Sequence, residues 1–189
     1  MKKLMTAIVL CVLVFWTGRI YSINRKPQMV TYYSIGDIID CGDLELSFVE
    51  SHLVSQGDMT RINGRKITPE ELHWAIKTCR GIADLDIGQA LVVSQGTVII
   101  AEAFDGTDAM IERAGSICTR PMGLVKLAKN TQDFRYDVPA FGMHTLQEMH
   151  KSGIVWAALE SNRTIILDKS EVLAEANRLK IRLLGFKKA

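Results

Sequence analysis

The sequence predicts an α/β protein: a single compact domain of mixed sheet with flanking helices, preceded by an N-terminal apolar helix. Three observations lead there. From Thr68 onward, apolar runs of strand length alternate with segments of helical period. A capping box with proline at the first helical position opens the first of those helices. A charged-then-apolar block, Lys2-Lys3 followed by residues 4–18, stands at the N-terminus.

The 189 residues suit one ordinary domain with an appendage rather than two full domains. With 48% hydrophobic and 23% charged residues the composition is globular, which excludes disordered and low-complexity classes. A net charge of +2 argues against a nucleic-acid partner, whose binder must neutralise many phosphates. Cys11, Cys41, Cys79 and Cys118 form no C-x-x-C pair, which excludes zinc-ribbon and thioredoxin-like readings. Their long, irregular spacing reads as reduced, buried thiols in a reducing compartment.

Residues 1–22 read as a signal anchor or transmembrane segment. The apolar run of about 15 residues falls short of the ~20 of a spanning helix and reaches that length only if Arg19 snorkels to the interface. No small-x-small cleavage site precedes Ser22, so an uncleaved anchor is expected ahead of a cleaved signal peptide. Residues 23–55 read as a polar linker around Pro27 and a short β segment at 44–49. Asp37, Asp40 and Asp43 there are turn acids around Gly36 and Gly42.

Residues 56–189 form the α/β domain. Asn63-Gly64 marks a turn. Thr68-Pro69-Glu70-Glu71 starts a helix that puts Leu72, Ala75, Ile76, Cys79 and Ile82 on one face. Strands at 90–93 and 97–100 form a hairpin through Ser94-Gln95-Gly96. A short helix capped by Thr107 runs to Arg113, and a strand follows at 124–128. A helix at 143–151 ends before Gly153, and a strand at 154–159 turns at Asn162-Arg163 into another at 165–167. An amphipathic helix at 170–180, with Val172, Leu173, Ala176 and Leu179 inward, precedes a last strand at 181–186.

Polar groups inside apolar strands are the candidates for chemistry. Glu102 closes one apolar strand and Lys126 sits within another. A buried charge is costly unless paired. Lys126 therefore pairs with Glu102, faces an anionic ligand at the strand end, or lies in water on an edge strand. Thr107 and Asp108 are also ordinary helix-start residues. After the lysine strand, the polar loop from Asn130 carries Gln132, Asp133, Arg135 and Asp137. In open α/β sheets such strand ends bind ligands. There carboxylates can hold Mg²⁺ against phosphate oxygens, and Lys126, Lys129 and Arg135 can neutralise developing charge. His73, His144 and His150 read as surface or core residues. No Walker A loop, G-x-G-x-x-G, G-x-S-x-G or H-E-x-x-H is present.

Four stretches in order carry a resemblance: Asp86-Ile87-Gly88-Gln89-Ala90-Leu91-Val92-Val93; Glu102-Ala103-Phe104-Asp105-Gly106-Thr107-Asp108-Ala109-Met110; Leu124-Val125-Lys126-Leu127-Ala128-Lys129; and Gln132-Asp133-Phe134-Arg135-Tyr136-Asp137-Val138-Pro139. With Asn162-Arg163-Thr164 before Ile165-Ile166-Leu167-Asp168, this resembles the C-terminal domain of the UDP-2,3-diacylglucosamine pyrophosphatase family. The resemblance covers roughly residues 56–189. Family members carry another N-terminal domain, with the lipid in a chamber between the two, and residues 1–55 do not match it.

The resemblance implies a magnesium-dependent hydrolase of lipid A biosynthesis. Such an enzyme cleaves the pyrophosphate of UDP-2,3-diacylglucosamine, an acylated UDP-sugar lipid, into UMP and 2,3-diacylglucosamine 1-phosphate. It implies work at the cytoplasmic face of the inner membrane, with Mg²⁺ as metal. Asp133 is then the first candidate for metal positioning or water activation, with Asp137 as a second catalytic residue. Asp108 and Glu102 join Asp133 as metal ligands, and Gln132, Arg135, Lys126, Lys129 and Thr107 bind substrate. The alternative expectation is a membrane-tethered, non-catalytic remnant that binds an acylated or phosphorylated sugar. The hydrolase would be active alone or completed by a partner chain or a homo-oligomer, and the remnant could bind a partner chain instead of a sugar.

Overall fold

The computed structural model describes residues 51–62, 67–130 and 138–187. The expected apolar helix at 1–22, the β segment at 44–49, the Asn63-Gly64 turn and residues 131–137 of the polar loop lie outside them. Among the described residues no helix is long and apolar enough to cross a membrane.

The described elements run β1 (Gly57–Asp58), α1 (Pro69–Asp84), β2 (Ala90–Ser94), β3 (Thr97–Ala101), α2 (Gly106–Ile117), β4 (Met122–Lys126), β5 (Ala140–Phe141), α3 (Met143–Lys151), β6 (Ile154–Glu160), β7 (Ile165–Ile166), α4 (Lys169–Leu179) and β8 (Arg182–Phe186). Six strands form one mixed sheet in the order β1-β8-β6-β4-β2-β3. Neighbours β4, β6 and β8 are parallel, β2 is antiparallel to both β4 and β3, and β1 is antiparallel to β8. Parallel neighbours need long connections, and α3 and α4 supply them.

Local chemistry explains the element starts. Thr68 accepts the backbone N–H of Glu71 at 3.1 Å, and Pro69 opens α1. Gln95 and Gly96, with φ of 50° and 75°, make the two-residue turn whose twist suits the β2–β3 hairpin. The fold has three layers. Ala75, Ile76, Cys79 and Ala83 of α1 pack on one sheet face against Leu91, Val93, Val125 and Trp156. Met110 and Ile111 of α2, Leu146 and Met149 of α3, and Val172 and Ala176 of α4 cover the other, against Val92, Leu124, Leu159 and Leu183. Val54, ahead of β1, is fully buried in that larger core, and Lys169 Nζ donates to Leu53 O at 2.6 Å. Gly123 of β4 pairs with Trp156 of β6, and a Cβ there would stand 1.9 Å from the indole.

Several expectations are corrected. Lys126 is not on an edge strand: β4 lies between β2 and β6, and Lys126 is only 8% exposed. Thr107 does not cap α2, because the helix already starts at Gly106 with Asp105 at the cap position. The strand at β7 does not return beside β6. Asn162 turns left-handed at φ 59° and its N–H donates to Val54 O, so β7 pairs instead in parallel with β5.

Cys79 and Cys118 are buried free thiols, while Cys11 and Cys41 lie outside the described residues. Burial pushes the Cys79 thiol up to about 12, with the Arg80 charge pulling the other way. In the unfolded chain the thiol ionises first, so this contribution to stability holds below pH 9.0 and is lost as pH rises toward about 12. Denaturant titrations at about pH 8 and about pH 11 are expected to show a smaller alkaline loss for Cys79→Ala than for the wild type.

Candidate functional site

One end of the sheet gathers the polar residues. The parallel strands β4 and β6 end there, at Lys126 and Glu160, while β3 runs out into Glu102 and β2 begins just after Gln89. This is the end at which open α/β sheets bind ligands.

Glu102 and Lys126 are both buried, at 6% and 8% exposure. The hydroxyl of Thr107 links them. It donates to Glu102 Oε1 at 2.5 Å and accepts from Lys126 Nζ at 2.8 Å. A hydroxyl is suited to this place because it donates and accepts at once. The other Glu102 oxygen accepts the backbone N–H of Gln89 at 3.0 Å. That approach needs a glycine beside it, since a Cβ on Gly88 would stand 2.1 Å from the Glu102 carbonyl oxygen. Both carboxylate oxygens are thus satisfied in a buried place. Glu102 and Lys126 are joined through the Thr107 hydroxyl.

Asp108 lies one residue further along α2 and faces another way. Its Oδ1 accepts from Thr145 Oγ1 at 2.9 Å, and its Oδ2 lies 3.1 Å from His144 Nδ1. Asp108 therefore ties α2 to the start of α3. Lys129 Nζ donates to Asp86 Oδ1 at 2.5 Å, an exposed pair of little energetic weight.

Of the expected metal ligands, Glu102 and Asp108 do not form a ready donor set. Each has both oxygens engaged by internal partners, and among the described residues no group of three or more His, Cys, Asp or Glu could hold a metal ion. Asp133, Asp137, Gln132 and Arg135 lie outside the described residues. A groove of about 280 Å³ beside Trp156 and Arg182 lies toward the other end of the sheet and holds none of the expected site residues.

Sequence reasoning missed Arg80, Glu160 and Arg163, a second buried polar group at this end. Glu160 closes the apolar strand β6 as Glu102 closes β3, so the same signal was available.

This fold and this polar strand end fit the comparison with known families. The family model described as the LpxI C-terminal domain matches residues 55–184, and the chain belongs to that family. It is 34% identical over 144 residues to the UDP-2,3-diacylglucosamine pyrophosphatase LpxI of Caulobacter vibrioides. The alignment covers 68% of this chain and 51% of the relative, so the chain spans about half the length of the curated relative it matches.

Proposed function

We propose that the chain is a hydrolase of lipid A biosynthesis that splits the pyrophosphate of UDP-2,3-diacylglucosamine into UMP and 2,3-diacylglucosamine 1-phosphate. The match of residues 55–184 to the LpxI C-terminal domain carries this reading. The buried Lys126 at the sheet end supports it. An ammonium fixed before substrate arrives can neutralise charge that develops on phosphate oxygens without reorganising. In this reading Thr107 and Glu102 hold that ammonium, Lys129 and Arg135 add positive charge, and Gln132 orients the substrate. Asp133 positions the attacking water, with Asp137 four residues further on. Mg²⁺ belongs to the same proposal, held by Asp133 and Asp137, and it would supply charge on the attacked phosphate. Residues 1–22 would tether the domain at the cytoplasmic face of the inner membrane, where the acylated substrate lies.

The test is UMP release from UDP-2,3-diacylglucosamine by the purified chain, with Mg²⁺ or with chelator, beside Asp133→Ala. Release that needs Mg²⁺ and falls at least about 100-fold in the variant is expected. Equal release with chelator would refute the metal, and equal release by the variant would refute the role of Asp133. The second reading is a tethered unit that binds the acylated sugar without turnover, or one completed by a partner chain or a second copy. The internal engagement of the Glu102 and Asp108 carboxylates favours it. Substrate bound but not cleaved by the wild-type chain would decide for it.

A further inference from the structure

The backbone leaving β4 is held by a buried carboxylate and two partly buried guanidiniums that the proposed chemistry does not use. Glu160, the last residue of β6, is 0% exposed. Its Oε1 accepts from Arg80 Nη2 at 3.0 Å and lies 3.6 Å from Arg163 Nη1. Its Oε2 accepts the backbone N–H of Ala128 at 2.8 Å. Arg80 Nη1 donates to Ala128 O at 2.7 Å, and Arg163 Nη2 to Lys129 O at 3.1 Å. One carboxylate and two guanidiniums therefore grip both backbone groups of Ala128 and the carbonyl of Lys129. On the other side Leu127 N–H donates to Gln89 O at 3.0 Å, and the N–H of that same Gln89 holds Glu102.

Stability alone is a poor reason for such a cluster. Well-packed apolar residues often serve as well or better than a buried ion group. What charges offer and apolar contacts do not is direction. Arg80 spans a carboxylate and a carbonyl with the two nitrogens of one planar fork, which lysine cannot reproduce. The segment so fixed begins just after Lys126 and includes Lys129.

We propose that Arg80, Glu160 and Arg163 are positioning residues for the candidate site. They fix the backbone of Ala128 and Lys129, and through it the places of Lys126 and Lys129 toward a phosphate-bearing substrate. The kinetic consequence rests on the hydrolase reading, whereas the backbone consequence does not.

The test uses the full chain with Glu160→Gln, Arg80→Lys and, as control, Leu146→Ala, a buried core residue of α3 that touches none of these groups. Amide hydrogen exchange is read first. In Glu160→Gln, exchange at Ala128, whose N–H Glu160 accepts, is expected to rise at least about tenfold while Val92 in β2 keeps its protection. A rise by the same factor throughout the sheet would overturn the proposal. UMP release is read second, each variant measured equally far below its own melting temperature. The kcat of Glu160→Gln and Arg80→Lys is expected to fall about tenfold or more, and that of Leu146→Ala to stay within about twofold. Equal kcat in all of them would overturn it. A wild-type chain that releases no UMP counts against the hydrolase reading, and the exchange measurement then decides the positioning role alone.

Discussion

On the proposed hydrolase reading, Lys126→Met is expected to cost the protein both stability and hydrolysis, and adding Glu102→Gln is expected to return only the first. The methionine keeps most of the apolar stem but removes the ammonium that Thr107 holds. Glu102 then remains as a buried carboxylate without its positive counterpart. Breaking a buried charge pair from one side costs about 3 kcal/mol or more. Glutamine at 102 removes the uncompensated charge while its carbonyl can still accept the N–H of Gln89. Most of the lost stability is therefore expected back in the double variant, a strongly non-additive result. Hydrolysis is expected to stay at least about 100-fold down in both, because the fixed positive charge at the sheet end is gone. Denaturation midpoints and UMP release, measured on the singles and the double, separate the two effects. Hydrolysis that returned together with stability would make Lys126 a residue of the fold and not of the chemistry.

Gly123→Ala is expected to be nearly as damaging to the fold, from a single methyl group. The new Cβ would meet the Trp156 ring at 1.9 Å, and the ring is enclosed, at 7% exposure, under α1. A flexible side-chain tip would move aside, but the rigid indole must swing as a whole, out of its packing with α1 and toward the groove it lines. Overpacking of this kind costs about 3 kcal/mol, which lowers the melting temperature of a domain this size by roughly 10 °C. Trp156→Leu in the same chain is expected to recover part of that loss, although on its own it destabilises by leaving a cavity. A thermal melt of the singles and the double checks both signs.

Legibility from sequence followed the range of the interaction. The Thr68 cap, the Gln95-Gly96 turn and the apolar stripe of α4 rest on neighbours a few residues apart, and all are where local rules put them. The strand expected at 124–128 lies instead at Met122–Lys126, because its span is set by pairing with both β2 and β6 and not by its own apolar run. The course of β7 was hidden for a similar reason. Asn162-Arg163 reads as a turn, but where the chain goes afterwards is decided by Val54 and Phe141. The buried-charge argument found Glu102 and Lys126. It missed that Thr107 joins them, since a threonine near a helix start reads first as a cap. Arg80 of α1 reaches Glu160 and Arg163, three residues apart at the end of β6, from far back in the chain, and no spacing rule brings it to them. Asp133, Asp137, Gln132 and Arg135 rest on their sequence pattern and family resemblance alone.

The short strand β1 has a consequence for how the molecule behaves in solution. It lies along the outer side of β8, with Gly57 opposite Gly185 and the N–H of Met59 on Leu183 O. Ser55 passes so close to Gly185 that a Cβ there would stand 1.7 Å from its carbonyl oxygen. Without these residues β8 would present a row of bare N–H and C=O groups, a template on which another polypeptide can pair. The segment from Leu53 to Thr60 is thus a cover against self-association, and a fragment started after it would be prone to aggregate although its helices and core residues were nearly all present.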